Sequence, residues 1–481
     1  MAGTHGAALE RYAPLIRDWD AFVRAATEPR PTCLVANANR IGAEALAGLL
    51  DAEACPVEPV QWTHGALRVP PHARPGGWWP AQAGLYQIQE EASLLPAHLL
   101  APKPGERVLD MCAAPGGKAA QLAMALGSSG TVLANDKDSR RLAAVRDKMK
   151  RLGLVNLTAC VHDAGDFPLA AGMFDRVLVD APCSAEGTKA RSGAGYRASD
   201  TTFRHWVNGQ QRALLRRAIK LTRPGGRIVY ATCSFAPEEN EAVVEAVLHE
   251  LPGEVYPVQV NVGSLPADPG VPVWNDHAFD QEVVENAARL WPHRSGTGGF
   301  FAIALERPAN AAVHAPDPAA VEPAAPGTPT DRAAVLDPLT HRFGLDAEAL
   351  AGLKLWEAGD HVHATAADHH PPARPRPTAS GVPFTRTGAR WPKPTTAAAL
   401  MLGDAASRNV VALDRAQVDA YQARRAIQPR PEQLAACDGR GHVLLHFRGV
   451  SLGVGFLHPG DDDAPATIES QFPRAWMTQP G

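Results

Sequence analysis

The sequence predicts an α/β fold built on a mostly parallel sheet, together with a smaller N-terminal domain and a β-rich C-terminal region. From residue 106 to residue 305, short apolar strands alternate with segments of helical periodicity. This alternation is typical of a parallel sheet with helices on both faces. Near the C-terminus, the stretch HVLLHFRGVSLGVGFLHP has the pattern of consecutive β-strands.

Composition and charge exclude several classes of protein. The 481 residues carry 47 Lys and Arg against 51 Asp and Glu, a net charge of −4, which excludes a wholly basic nucleic-acid coat but not a local basic cleft. None of the seven cysteines forms a CxxC pair, so we expect neither a disulfide framework nor a metal site. No apolar run is long enough to span a membrane, and we expect a cytoplasmic protein without membrane contacts.

Changes in composition divide the chain into four predicted segments. Residues 308–332 contain six prolines and many alanines, which is typical of a linker. A second stretch rich in Pro and Arg covers residues 369–395. The predicted segments are an N-terminal domain (1–100), a central domain (101–307), the Pro/Ala-rich linker (308–332) and a C-terminal region (333–481).

Five apolar strands and two helices can be placed in order within the central domain. The strand RVLDMCA is followed by the helix KAAQLAMAL and then by the strand TVLANDKD. Residues 139–152 are predicted as a helix because apolar residues recur every three or four positions, and Gly153 is a natural stop. Three further strands are LTACVHD, DRVLVDAP and GGRIVYATCS. In front of this domain, GLYQIQEEASLLP is predicted as a turn that enters a helix.

A glycine-rich turn follows the first strand of the central domain. The sequence LDMCAAPGGK runs from that strand through the turn into a helix. Glycine lets the backbone approach a ligand closely, and a helix N-terminus favours negative charge. Such turns open many α/β folds, so a tight turn without a ligand is an equally valid interpretation of this motif alone.

An acidic residue ends each of the three strands that follow. These residues are Asp136, Asp163 and Asp180, and Asp136 comes 20 residues after Gly116. An acid at that spacing can hydrogen-bond the ribose of a nucleoside cofactor. Because ligands of parallel sheets bind at the carboxyl ends of strands, the three acids predict a nucleoside site. They do not distinguish NAD from S-adenosylmethionine.

Two cysteines, Cys183 and Cys233, follow two strands of the same predicted sheet. Hydride transfer has no need of two thiols, whereas alkylation of a pyrimidine carbon does. C5 of cytosine becomes nucleophilic only when a thiolate adds to C6, so such an enzyme needs a poised cysteine. Two buried structural cysteines are the alternative. The chemistry alone does not choose which of the two thiols attacks.

These motifs resemble the Nop/Sun family of RNA (cytosine-5) methyltransferases, most closely its RsmF-like bacterial 16S ribosomal RNA branch. The matching segments are DMCAAPGGK, VHDA, DAPCSAEGT, YATCSFAPEENEAVV and LWPHRSGTGGFF, with Asp136 and the preceding GLYQIQEEASLLP. The resemblance extends from about residue 80 to residue 307. It implies a Rossmann-like class I S-adenosylmethionine methyltransferase domain, with an N-terminal RNA-recognition domain and a C-terminal PUA-like RNA-binding region.

The resemblance also implies roles for individual residues. Cys233 would be the nucleophile and Cys183 would assist product release, with Asp180 and Lys118 as the other catalytic groups. The residues implied for S-adenosylmethionine binding are Cys112, Ala113, Ala114, Pro115, Gly116, Gly117, Lys118, Asp136, Asp163 and Asp180. The motif LWPHRSGTGGFF implies that Pro292, His293 and Gly298–Gly299 close the pocket.

The sequence departs from the family pattern after Cys183. Ala185 stands where relatives commonly have glycine, and the segment TKARSGAGYRASD lacks the usual Arg/Lys-Asp-Pro pattern. Lys189 and Arg191 are nevertheless candidates for RNA phosphate contacts. In the C-terminal region, basic and aromatic side chains suited to RNA are Arg374, Arg376, Arg386, Arg390 and Trp391.

The expected activity is methylation of a cytosine C5 in structured RNA, with 16S ribosomal RNA as the first candidate and transfer RNA as the alternative. A ribosomal subunit is a further candidate partner, and a monomer is expected. Two other hypotheses stay open. One is a DNA methyltransferase that uses Cys183 as the nucleophile, and the other is a ribosome-assembly factor whose RNA binding matters more than methylation.

Overall fold

The computed structural model describes residues 9–30, 32–188, 201–324, 327–388, 391–461 and 464–477. The predicted RNA contacts Lys189, Arg191 and Arg390 lie outside the described residues. No helix in the described part of the chain is long and apolar enough to cross a membrane.

The N-terminal unit is built on a four-stranded antiparallel sheet with the order β2-β3-β1-β4. Its strands are β1 (Thr32–Ala36), β2 (Glu58–Pro59), β3 (Ala66–Val69) and β4 (Tyr86–Glu90). Its helices are α1 (Trp19–Thr27), α2 (Ala43–Asp51), α3 (Trp79–Gln82) and α4 (Leu95–Leu100).

The segment GLYQIQEEASLLP begins in a turn at Gly84, as predicted, but a strand that was not predicted follows the turn. Tyr86–Glu90 form strand β4, which pairs with β1 along its whole length. Tyr and Ile alternate with Gln here, and this two-residue period is typical of a strand. A short 3₁₀ helix at Glu91–Leu94 then leads into the α-helix that begins at Leu95.

The central unit contains a sheet with the order β10-β14-β9-β8-β5-β6-β7-β18, with β13 paired to β14. The five parallel strands are β5 (Arg107–Asp110), β6 (Thr131–Asp136), β7 (Leu157–Val161), β8 (Phe174–Asp180) and β9 (Thr222–Thr232). The later strands are β10 (Tyr256–Val258), β11 (Val273–Trp274), β12 (His277–Ala278), β13 (Ala287–Leu290) and β14 (Phe300–Glu306). The helices are α5 (Gly117–Ala125), α6 (Leu142–Leu152), α7 (Thr201–Leu221), α8 (Glu241–Glu250), α9 (Gln281–Asn286) and α10 (Pro292–Ser295).

The five predicted strands β5 to β9 are confirmed, and they pair in parallel. Their side chains cover both faces of the sheet. Val108 and Val132 pack with Leu122 on one face, whereas Leu109 and Leu133 lie in a second cluster on the other. Burial on both faces explains why these strands are nearly continuous apolar runs.

The chain reverses its direction of travel across the sheet between β5 and β8. From β5 it moves outward through β6 and β7, and then returns to add β8 and β9 on the other side of β5. The carboxyl ends of β5 and β8 therefore flank a crevice, which is where ligands bind in open α/β sheets.

The C-terminal region has two four-stranded sheets, in the orders β15-β16-β17-β19 and β20-β21-β22-β23. Their strands are β15 (Thr328–Pro329), β16 (Leu353–Ala358), β17 (His361–Ala366), β19 (Val382–Arg386), β20 (Val410–Ala412), β21 (Gly441–Phe447), β22 (Val450–His458) and β23 (Thr467–Ser470). The helices are α11 (Arg332–Phe343), α12 (Ala347–Ala351), α13 (Thr396–Leu402) and α14 (Arg415–Gln422). The predicted β-rich character is confirmed, whereas the PUA-like assignment and the domain boundaries stay predictions.

Two stretches rich in proline lie against the central unit. Met173 N donates to Pro316 O over 3.1 Å, which holds the Pro/Ala-rich stretch 308–332 beside the sheet. Within the stretch 369–395, β18 (Pro377–Ser380) pairs antiparallel with β7 and extends the central sheet. The predicted RNA contacts Arg374, Arg376 and Arg386 are exposed there.

Candidate active site

A cleft of about 930 Å³ opens between β4 of the N-terminal unit and the carboxyl ends of β5 and β8. Six of the predicted site residues line it, namely Ala113, Ala114, Pro115, Gly117, Lys118 and Asp180. Residues from other segments complete the wall, among them Gln87, Gln89, Glu90, Gly187, Thr188 and Gly298. The glycine-rich turn and the end of β8 therefore meet in one cavity, as the sequence predicted.

The two predicted cysteines are in contact. Cys183 follows β8 and Cys233 follows β9, and their Sγ atoms lie 3.3 Å apart. The neighbouring parallel strands bring them together, since Asp180 is in register with Ala231. Both cysteines are free and only half-buried.

The two thiols have opposite pKa shifts. The hydrogen bond from Cys183 lowers the pKa of the Cys233 thiol, and nearby Lys118 also lowers it, against burial and Asp180. The same hydrogen bond, together with burial, raises the pKa of Cys183. The directions of these shifts favour ionisation at Cys233 over Cys183, and the more easily ionised thiol is the better nucleophile.

Two carboxyl groups and one ammonium group lie at the end of β5 and β8. Lys118 Nζ donates to Asp180 Oδ2 over 2.7 Å. Burial, and next the charge of Asp180, raise the pKa of Asp110 to about 8. Both oxygens of the Asp110 carboxyl are buried, and no side chain in the described part of the chain hydrogen-bonds to them. With this pKa the Asp110 carboxyl is mostly protonated at neutral pH, so the charged groups beside the cleft here are Lys118 and Asp180, which pair with each other.

The glycine-rich turn packs closely against α6 at Gly116. Gly116 has φ +93°, and a Cβ there would lie 2.9 Å from Cγ2 of Val145, so only glycine fits. Asp136 is buried over this turn, where Oδ2 accepts from Ala114 N at 3.3 Å. A half-exposed Arg141 pairs with the same carboxylate at 3.1 Å.

Two predicted cofactor residues have local roles in the structure. Asp163 is exposed, and its Oδ1 accepts from Gly165 N at 2.9 Å to cap a short 3₁₀ helix. Cys112 packs against the apolar core behind β5, and burial raises the pKa of its thiol. A role in cofactor binding stays a prediction for both.

A buried glutamate that sequence reasoning missed links the two cysteine turns. Glu239 Oε2 accepts from Ser184 N at 2.9 Å, and Oε1 accepts from Ser234 Oγ at 2.9 Å. The two serine hydroxyls also meet, at 2.8 Å. The signal for this role was the PEEN stretch behind Cys233, which the sequence analysis used only as part of a resemblance.

Gly298 and Gly299 lie beside the second cysteine turn, but the predicted closure by Pro292 and His293 is wrong. Gly299 N donates to Gly187 O at 3.2 Å, and Gly187 N donates to Cys233 O at 2.8 Å. Pro292 and His293 begin α10 and pack against α1, where the His293 ring lies 5.8 Å from Phe22. The apolar surface of α1 draws these residues away from the cleft.

Ala185 keeps the backbone shape that glycine would adopt. It has φ +57°, in the left-handed region that disfavours side chains. The alanine at this position is therefore held in a strained backbone conformation beside Cys183.

The fold and site define a Rossmann-like domain of the methyltransferase class. A methyltransferase homologue from Pyrococcus horikoshii has the same fold, with a TM-score of 0.54 and 28% identity over 63% of this chain and 99% of that one. The family profile of the 16S rRNA methyltransferases RsmB/F matches residues 97–306. The chain belongs to this family of RNA (cytosine-C(5))-methyltransferases.

Two curated relatives support this assignment. The tRNA (cytosine(49)-C(5))-methyltransferase of Pyrococcus abyssi is 30% identical over 62% of this chain and 95% of its own length. The Ribosomal RNA small subunit methyltransferase F of Erwinia tasmaniensis is 29% identical over 88% of both chains. Three animal rRNA (cytosine-C(5))-methyltransferases are 34% identical, and the chain spans only 35–44% of their length.

The residues of the cleft fit S-adenosylmethionine. The Asp180 carboxylate in the wall of the cleft suits the positive charge of a sulfonium or an ammonium group, and the buried Asp110 carboxyl lies beside it. The turn at Gly116 allows backbone contact, and Asp136 presents a carboxylate at the end of β6. These donors and acceptors match a cationic nucleoside better than a dinucleotide phosphate, which the acids would repel.

Proposed function

We propose that this protein methylates C5 of a cytosine in structured RNA, with S-adenosylmethionine as the methyl donor. The observation that carries the proposal is the 3.3 Å contact between the Cys183 and Cys233 thiols at the edge of a nucleoside-type cleft. A thiolate with a thiol partner is what addition to C6 of a pyrimidine requires, followed by elimination.

Cys233 acts as the nucleophile. Its thiolate adds to C6 of the cytosine, and the electron density displaced from the 5,6 double bond makes C5 nucleophilic. Lys118, whose charge lowers the pKa of the Cys233 thiol, keeps the attacking group ionised. The bound cofactor supplies an electrophilic methyl group on a positively charged sulfur.

Cys183 acts in product release. After C5 has gained the methyl group, a base removes the C5 proton, and the electron pair of that C–H bond restores the 5,6 double bond as the bond to Cys233 breaks. The Cys183 thiol lies 3.3 Å from Cys233 Sγ, so it can donate a hydrogen bond to the departing thiolate.

Four groups hold the cofactor in this proposal. The backbone of Ala113–Gly117 contacts it, Asp136 binds the ribose hydroxyls, and Asp110 with Asp180 faces its charged methionine end. Lys118 remains paired to Asp180, and this ion pair offsets the charge of the lysine beside the sulfonium.

Ribosomal RNA of the small subunit is the proposed substrate. The relative named for this reaction aligns with 88% of the chain, including the C-terminal region, whereas the transfer RNA relative aligns with 62%. An RNA target also explains a cleft wall with basic residues, which include Arg30, Arg74 and Lys148.

The test is bisulfite sequencing of total RNA from a deletion strain and its parent. We expect one cytosine of the small-subunit ribosomal RNA to lose protection, and a plasmid copy with Cys233→Ser to leave it unprotected. Loss at a transfer RNA position would retain the chemistry and change the substrate. No altered cytosine, or full rescue by the Cys233→Ser copy, would contradict the proposal.

A further inference from the structure

A carboxylate from the N-terminal unit forms part of the wall of the cleft. Glu90 is the last residue of β4, and it lines the cleft together with Asp180 and Thr188. Its Oε1 accepts a hydrogen bond from Gly298 N at 2.7 Å. The side chain is therefore held by the backbone of another segment.

The carboxylate of Glu90 lies close to the backbone at position 298. A Cβ on Gly298 would lie 2.9–3.1 Å from the carboxylate atoms of Glu90, so any side chain there would have to displace the end of Glu90. Glycine at this position therefore leaves the observed position of the carboxylate open.

A short chain of backbone hydrogen bonds connects Glu90 to the nucleophile. Gly299, next to the Gly298 amide, donates to Gly187 O at 3.2 Å, and Gly187 N donates to Cys233 O at 2.8 Å. The carboxylate and the attacking thiol are therefore fixed relative to each other through one backbone framework.

The second carboxylate oxygen is unused. Glu90 Oε2 is buried and has no hydrogen-bond partner in the part of the chain that the structure describes. A buried acceptor without a partner is costly, so this oxygen needs a donor, and its place in the wall of the cleft makes a bound substrate a candidate for that donor. The other acid of this wall, Asp180, already gives one oxygen to Lys118.

We propose that Glu90 Oε2 accepts a hydrogen bond from the N4 amino group of the target cytosine and so selects cytosine over uracil. This inference rests on the proposed function. Uracil has a carbonyl oxygen at the same position, and its lone pairs would face the carboxylate. Glu90 is thus a specificity-determining residue, distinct from the groups that form and break bonds.

The test compares methyl-transfer kcat/KM on two forms of the substrate RNA, with cytosine or uracil at the target nucleotide. We expect wild type to prefer cytosine by roughly tenfold or more. Glu90→Gln keeps an oxygen for Gly298 N and offers an amide donor to uracil, so the preference should fall at least tenfold. The control Glu28→Gln alters an exposed glutamate at the same cleft and should leave the ratio unchanged.

The outcomes separate the two proposals. If wild type methylates no RNA, the proposed function fails. If wild type is active and Glu90→Gln lowers both rates but keeps the ratio within twofold, base selection by Glu90 is wrong and its role is structural.

Should Glu90→Gln not fold, wild type is assayed with 2-pyrimidinone at the target, which lacks the amino group. A loss of tenfold or more is expected, and turnover equal to that on cytosine would overturn the inference.

Discussion

Lys118 and Asp180 form an ion pair within the cleft, with 2.7 Å between Nζ and Oδ2. The pair joins the first turn of α5 to the end of β8, the two elements that flank the crevice in the sheet. It also places a positive charge near Cys233, where it lowers the pKa of the thiol. The cofactor turn and the nucleophile are therefore electrostatically coupled through one lysine.

Removal of this charge should make Cys233 less reactive. In Lys118→Gln the pKa of the Cys233 thiol rises, because a stabilising charge is lost while burial and Asp180 still oppose ionisation. We expect alkylation of Cys233 by iodoacetamide at pH 7.5 to slow by roughly tenfold. Mass spectrometry of the Cys233 peptide measures the rate of alkylation. Lys148→Gln, which changes a lysine bound to Pro115 O, is the control. Equal rates in all three proteins would refute the coupling.

The two cysteines should give different products when they are replaced. Cys233→Ser should lose methyl transfer by at least about a thousandfold, since the nucleophile is gone. Cys183→Ala should accumulate a covalent protein–RNA adduct, visible as a slower band on denaturing gels, because the departing thiolate has lost its donor.

The control for this pair is Cys55→Ala, a half-buried cysteine of the N-terminal unit. It should behave like wild type. An adduct from Cys233→Ser but none from Cys183→Ala would reverse the roles, and it would favour Cys183 as the nucleophile.

Glu239 should matter for both stability and activity. Its carboxylate accepts hydrogen bonds from Ser184, Ser234 and Gln211, so a neutral amide leaves donors unpaired in a buried site. We expect Glu239→Gln to lower the free energy of unfolding by about 2 kcal/mol, measured in urea. Glu250→Gln, which removes a surface pairing with Arg216, should change it by less than about 0.5 kcal/mol. A Glu239→Gln protein as stable as the Glu250→Gln control would show that the hydrogen bonds of Glu239 do not stabilise the fold.

Ala185→Gly should be a stabilising change. The φ of +57° at Ala185 is costly for alanine and free for glycine, whereas the unfolded chain gains some entropy with glycine. The expected gain in the free energy of unfolding is about 0.5 kcal/mol. Ala143→Gly on the exposed side of α6 should instead lose about 1 kcal/mol. Destabilisation by both changes would show that the Ala185 backbone is not strained.

Features that depend on local sequence could be predicted, whereas contacts between distant segments could not. Strands β5 to β9 were predictable because each contains an apolar run, and β5, β6 and β8 end at an aspartate. Parallel strands collect those ends at one edge of the sheet. The contact of Cys183 with Cys233 followed from that rule. The roles of Glu239 and Glu90 did not, because they depend on side-chain contacts between segments 55 and 208 residues apart.

Strand β18 is the element that the local sequence pattern predicts least well. Its sequence, PTAS, lies in a stretch rich in Pro and Arg, which indicates no strand by propensity. It forms because the outer edge of β7 offers unpaired backbone groups, and Ala379 pairs there with Ala159. A partner more than 200 residues away cannot be inferred from a local period.

A buried histidine holds this added strand to the catalytic sheet. Thr158 Oγ1 on β7 donates to His369 Nε2 at 2.7 Å, and Ser380 Oγ on β18 lies 3.3 Å from the same nitrogen. His369 Nδ1 faces Gly130 O at 3.3 Å, so the neutral ring donates there and accepts at Nε2. Burial lowers the pKa of His369 to about 4, and the neighbouring charges of His370 and Arg107 act in the same direction.

This arrangement predicts a loss of stability in mild acid. The unfolded chain takes up a proton near pH 6.5, whereas the folded protein resists it until about pH 4. The contribution of His369 is therefore complete above pH 6.5 and decreases as the pH falls towards 4, by about 2 kcal/mol between pH 7 and pH 5.

Urea unfolding of wild type and His369→Gln at these two pH values measures this change in the free energy of unfolding. The variant should lose about 2 kcal/mol less than wild type over this interval, while the exposed-residue control His64→Gln should follow wild type. Parallel curves for His369→Gln and wild type would mean that the ring is not held neutral between β7 and β18.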